Sequence, residues 1–150
     1  MPARQPPHQR TLCVDFDGTI TDYDHYRGRG VFDPPLPGAV ETLQRLKTEG
    51  WKILIYTTRS EVDEIARYLQ AHGIPYDGIN RDPDGPSDTN AGKPAADAYL
   101  DDRAVPFRDD WEAAYRGINE LLEWKRARRA RRRATGPVTR AGERRPGDQA

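Results

Sequence analysis

Asp15-Phe16-Asp17-Gly18-Thr19 sets two carboxylates one residue apart, directly after the short apolar run Thr11-Leu12-Cys13-Val14. That is the pattern of a buried strand delivering acids to a loop at its carboxyl end. Carboxylates so placed can act as nucleophiles, exchange protons as general acids and bases, or hold a hard cation through oxygen. Two other apolar runs stop at polar residues: WKILIY (51–56) enters Thr57-Thr58-Arg59, and Ala98-Tyr99-Leu100 ends in Asp101-Asp102. Ligands of an open parallel sheet bind in the crevice outside the carboxyl ends of its strands, so these groups are expected to face one another.

The elements between them fit such a sheet. Pro37 opens a helix with Val40, Leu43 and Leu46 at helical spacing, stopped by Gly50. Ser60 is expected to cap a second helix carrying Val62, Ile65 and Leu69, closed by Gly73. Residues 74–80 read as a weaker third strand and 105–107 as a marginal fifth. The stretch RDPDGPSDTNAG (81–92) consists of turn formers, so no crossover helix is expected there. A last helix begins near Asp109-Asp110 and runs past Trp124, while residues 21–37, with Gly28, Gly30 and Pro34-Pro35, read as a flap. Strand, helix, strand, helix, strand predicts an α/β fold: a Rossmann-like parallel sheet with helices on both faces.

Composition sets the limits. At 150 residues the chain has room for one domain. With 35% hydrophobic and 32% charged residues and a mean hydropathy of -0.94, part of it is expected to stay unpacked. The net charge of zero hides an asymmetry: residues 125–150 hold ten basic and two acidic residues, the rest 14 and 22. The expected organisation is a disordered lead-in (1–10), a folded domain (11–124) and a basic, partly disordered tail (125–150). Cys13 is the only cysteine, which rules out an intramolecular disulfide and a cysteine-based zinc site and fits a reducing compartment. No signal-like or membrane-spanning apolar run is present, so a cytoplasmic location and no membrane partner are expected.

The four polar strand ends and loops together resemble the motifs of the haloacid dehalogenase-like superfamily. Its Asp-x-Asp-x-Thr motif stands at Asp15-Phe16-Asp17-Gly18-Thr19, its strand-ending Thr at Thr57, its lysine at Lys93 and its acidic pair at Asp101-Asp102. The resemblance covers roughly residues 11–110 and implies a phosphatase working through an aspartyl-phosphate with Mg2+ as cofactor. It implies Asp15 as nucleophile and Asp17 as general acid-base. A metal would be held by Asp15, the backbone carbonyl of Asp17 and Asp102, with Asp101 acting through water or a neighbouring hydrogen bond. Thr57 and Lys93 would bind phosphate, as would backbone amides freed to turn at Gly18, and Arg59 is a further candidate. An acid at Asp17 favours phosphate-ester hydrolysis over dehalogenation. Neither interval that could hold a cap domain is long enough for an ordinary one, so a capless site is expected, open to a large phosphorylated substrate or closed by a partner subunit.

Simpler readings stand beside these. Thr58 could replace Thr57, and Lys93 could be a solvated loop lysine. Asp22, Asp24 and His25 read as solvated flap residues, His8, His25 and His72 lack metal-ligand spacing, and Cys13 reads as core. The tail sequence WKRARRARRR offers a function of another class, since clustered Arg can neutralise nucleic-acid phosphates. On that alternative the chain is an interaction module with a basic tail, or a phosphatase of polynucleotide ends.

Overall fold

The computed structural model describes residues 8–87 and 92–135. The expected lead-in before residue 8 and tail beyond 135 lie outside them. Four strands, Thr11–Asp15 (β1), Lys52–Tyr56 (β2), Gly78–Ile79 (β3) and Ala98–Leu100 (β4), form one parallel sheet in the order β3-β2-β1-β4. Helices Ala39–Thr48 (α1) and Val62–Ala71 (α2) connect β1 to β2 and β2 to β3, and Trp111–Thr135 (α3) follows β4.

The period of two along a strand divides the sheet into two faces. Leu12, Val14, Ile53 and Ile55 form one face and pack with Leu43 of α1 and Ile65 and Leu69 of α2 in a single core. Both helices lie on that face, as right-handed crossovers running in one direction across a sheet require. Phe16, Phe32 and Tyr68 stack edge to face at 5.3–5.5 Å and close the core beneath the flap. The opposite face carries Lys52, Leu54 and Tyr56. There the turn-rich segment takes the place of a helix: Lys52 Nζ pairs with Asp82 at 2.8 Å, and Tyr56 donates its hydroxyl to the Gly92 carbonyl at 2.5 Å.

Several elements differ from expectation for local reasons. Glu61, not Ser60, takes the cap position of α2, and its carboxylate is turned toward Arg59 instead of the helix amides. β3 is only two residues long because the Asp77 side chain takes the Ile53 N–H (2.8 Å) that a longer strand would have paired. Residues 105–107 form no strand: Val105 lies beneath Gly117 of α3, and Phe107 stacks on Trp111 at 5.1 Å. The expected boundary at residue 125 falls inside α3, which continues unbroken to Thr135. Ala114, Gly117, Leu121, Lys125, Arg128 and Arg132 are its less exposed residues at three- and four-residue spacing, so one face of α3 turns from apolar to basic without leaving the molecule. No helix among the described residues is long and apolar enough to cross a membrane.

Candidate active site

Register brings the acids together. Val14 pairs with Leu100 and Asp15 with Tyr56, so the next residue of β4, Asp101, comes level with Asp15, and Thr57 with Phe16. After β1 the chain folds back in a tight turn in which the Phe16 carbonyl accepts the N–H groups of Ile20 (3.0 Å) and Thr21 (3.1 Å). The turn places Thr19 between two carboxylate-bearing segments. Its hydroxyl donates to Asp15 Oδ2 (3.1 Å) and accepts the backbone N–H of Asp102 (3.0 Å), tying β1 to the end of β4.

Gly18 stands at φ 87°, and a β-carbon there would lie 2.8 Å from Asp102 Oδ2. Both facts demand glycine: the conformation is one L side chains rarely adopt, and any side chain would displace the Asp102 carboxylate. The Gly18 N–H is spent on the Thr21 carbonyl at 3.1 Å, so its contribution here is close approach.

Asp15, Asp101 and Asp102 each offer an oxygen within 4.8 Å of the others. Burial, then the charge of Asp101 and more weakly that of Asp102, push the Asp15 carboxyl up to about 7 against the pull of the Thr19 hydroxyl. Asp102 Oδ1 is buried and has no hydrogen-bond partner among the described residues. Three hard oxygen donors in mutual repulsion, one with an unspent lone pair, fit a small divalent cation. The cation now nearest Asp102 comes from α3, whose Lys125 Nζ lies 2.6 Å from Oδ2.

Asp17 is held apart from that cluster. Arg59 grips it through both oxygens (Nε to Oδ2 2.5 Å, Nη2 to Oδ1 3.0 Å), reaches Glu61 at 2.9 Å, and donates to the flap carbonyls of Gly28 (3.5 Å) and Val31 (3.4 Å). A guanidinium has five N–H donors, and these five acceptors use them. Burial pulls the Arg59 pKa down, but the two carboxylates outweigh it and leave the group more firmly protonated than usual. Arg59, a candidate for phosphate contact, has its donors engaged on Asp17, Glu61 and the flap.

Thr57 is buried, gives its N–H to Asn80 Oδ1 (2.7 Å) and accepts the Arg59 N–H on its hydroxyl oxygen (3.2 Å), which leaves the hydroxyl proton available to another acceptor. Lys93 is exposed, lies over the Tyr99 ring at 5.3 Å, and lines one cavity together with Asp15 and Asp101. Cys13, in the same sheet, is buried, and burial, then Asp101 and Asp15, raise its thiol to about 11, so it is inert.

Sequence reasoning overlooked Asn80 and Glu61, and read Asp22 and the basic residues of α3 as separate, solvated features. Asp22, expected in solvent, is 3% exposed and pairs with Arg132 and, at 3.6 Å, with Arg128. The signal was present: residues 125, 128 and 132 continue the spacing of 114, 117 and 121.

No family model matches the chain, and neither does any curated protein. Among solved structures, a conserved protein of Bacteroides thetaiotaomicron is 31% identical over 75% of this chain and 92% of its own, with a TM-score of 0.55. A Vibrio cholerae protein is 24% identical over 80% and 99% (TM-score 0.44), and the D,D-heptose 1,7-bisphosphate phosphatase of B. bronchiseptica, solved with magnesium and phosphate, is 22% identical over 57% and 56% (TM-score 0.39). An identity of 31% across nearly all of a relative goes beyond shared architecture, and it joins the four motifs read in order along this sequence: the chain belongs to the haloacid dehalogenase-like superfamily.

Proposed function

We propose that the protein is a capless, magnesium-dependent phosphomonoester hydrolase that works through an aspartyl-phosphate on Asp15. The observation that carries this reading is the cluster of Asp15, Asp101 and Asp102 braced by Thr19 at the carboxyl ends of β1 and β4. Asp15, Asp102 and the Asp17 carbonyl would hold Mg2+, with Asp101 beside them, and the ion would neutralise negative charge on the carboxylates and on the bound phosphate. Asp15 Oδ1 attacks phosphorus while Oδ2 is held by Thr19, which fixes the carboxylate for in-line approach. Asp17 gives a proton to the leaving oxygen and takes one from the attacking water; both its oxygens accept from Arg59 at rest, so it acts once one arm of that clamp is released. The Thr57 hydroxyl and the Lys93 ammonium bind the phosphoryl oxygens.

Hydrolysis of a generic aryl phosphate in magnesium, lost in EDTA and regained on adding magnesium back, is the expected behaviour. Activity undiminished by EDTA would refute the proposal.

The two acids of the pair are expected to differ. Asp101 Oδ1 already accepts the Arg103 N–H at 2.8 Å, whereas Asp102 Oδ1 is buried without a hydrogen-bond partner among the described residues. Asp102→Asn should therefore raise the magnesium concentration for half-maximal activity by about tenfold or more, and Asp101→Asn by less. Titrating activity against magnesium for both variants checks this, and the reverse order would exchange the two roles.

A further inference from the structure

The basic face of α3 brings more positive charge to the rim of the crevice than the protein's own acids consume. A cavity walled on one side by Asp102 is lined by Arg103, Lys125, Arg128, Arg129 and Arg132. Lys125 is paired with Asp102, and Arg128 and Arg132 share Asp22. Asp24, the other acid of the cavity, bonds to His25 at 3.0 Å. Arg103 and Arg129 thus have no carboxylate partner among the described residues. Two exposed, unpaired guanidiniums beside three ion-paired cations make an anion-selective surface, and a guanidinium fork matches phosphate oxygens two at a time.

Its position gives this charge a use. Asp102 belongs at once to the acid cluster with Asp15 and to the wall of the basic cavity, so an anion in the cavity lies one side chain away from the reacting phosphate. We propose that the cavity is a second anion subsite and that the substrate is a phosphomonoester bearing a further phosphate, which Arg103 and Arg129 bind while the reacting group faces Asp15. The proposal rests on the hydrolase reading above. The second phosphate can be a terminal monoester on a small molecule or the first diester of a phosphorylated strand end; its chemistry at the cavity is the same. Binding it there would hold the reacting group in place and raise kcat/KM.

The test uses the full chain and matched ligands: a nucleoside 5′-monophosphate against its 3′,5′-bisphosphate and a 5′-phosphorylated dinucleotide, and a hexose monophosphate against the bisphosphate. In magnesium, at least one compound carrying the second phosphate should exceed its singly phosphorylated partner in kcat/KM by about tenfold. The Arg103→Ala/Arg129→Ala variant, which alters two exposed and unpaired side chains, should cut that ratio by a similar factor, and added salt should do the same. A response to bisphosphates alone identifies a small-molecule substrate, and one to the dinucleotide identifies a strand end. Ratios near one throughout, unmoved by the variant, would overturn the subsite and leave the hydrolase standing. Calorimetric binding of the same ligands to Asp15→Asn separates the two claims. Tighter binding of the member with the second phosphate, without hydrolysis of any compound by the wild type, would keep the subsite and remove the hydrolase.

Discussion

Asp15→Asn is expected to lower turnover by at least about 10^4-fold, because an amide cannot serve as the carboxylate nucleophile. The same substitution should raise the melting temperature in EDTA. Asp15 shares its surroundings with Asp101 and Asp102, and burial with their charge raises its carboxyl from 3.8 to about 7. A carboxyl whose pKa is higher in the folded state favours the fold only while protonated. Its contribution therefore declines as pH rises from about 4 to 7 and is a full penalty above that. The variant should melt above wild type by a few degrees at pH 8, with the gap closing toward pH 4. A variant that keeps a tenth of wild-type turnover would defeat the mechanism, and one that melts lower at pH 8 would defeat the electrostatic account.

The second large effect concerns Arg59. Its side chain is 5% exposed, as is that of Glu61, and Asp17 is 16% exposed, so the guanidinium neutralises two acids that water scarcely reaches. Arg59→Ala should cost about 3–5 kcal/mol, since breaking a buried ion pair leaves uncompensated charge behind. For a chain of this size that corresponds to a fall of roughly 10 °C in Tm. Arg59→Lys keeps the charge but loses the fork on Asp17 and the bonds to the Gly28 and Val31 carbonyls, so it should recover only part of the stability. Thermal melts of the two variants check this, and a Tm within 2 °C of wild type for Arg59→Ala would show that Asp17 and Glu61 do not depend on it.

Most of the fold could be read from the sequence because its main signals are local. Leu12-Cys13-Val14 and Ile53-Leu54-Ile55 are uninterrupted apolar stretches, as strands covered on both faces must be, and Leu43, Ile65 and Leu69 stand at helical spacing; all are buried. Asp15, Asp17, Thr57 and Asp101-Asp102 were placed by one rule, that strand ends share a crevice. What stayed hidden depended on pairings between distant segments. Asp22 looked like a flap acid because nothing near it in sequence reveals Arg132, 110 residues away. The demand on Arg59 from Asp17 and Glu61 could not be read because it exists only once the flap is folded. The arginine run looked like an appendage because its composition drew attention away from its spacing, which keeps Lys125, Arg128 and Arg132 on the face that Ala114 and Leu121 had begun.

The central claim is that phosphate passes through Asp15. Wild-type protein mixed in magnesium with an aryl phosphate labelled at phosphorus and quenched in acid within a turnover should carry label that hydroxylamine releases, as an acyl phosphate requires, on the peptide containing Asp15. Asp15→Asn should carry none. Rapid hydrolysis by wild-type protein with no trapped label, or label on a different residue, would contradict the account.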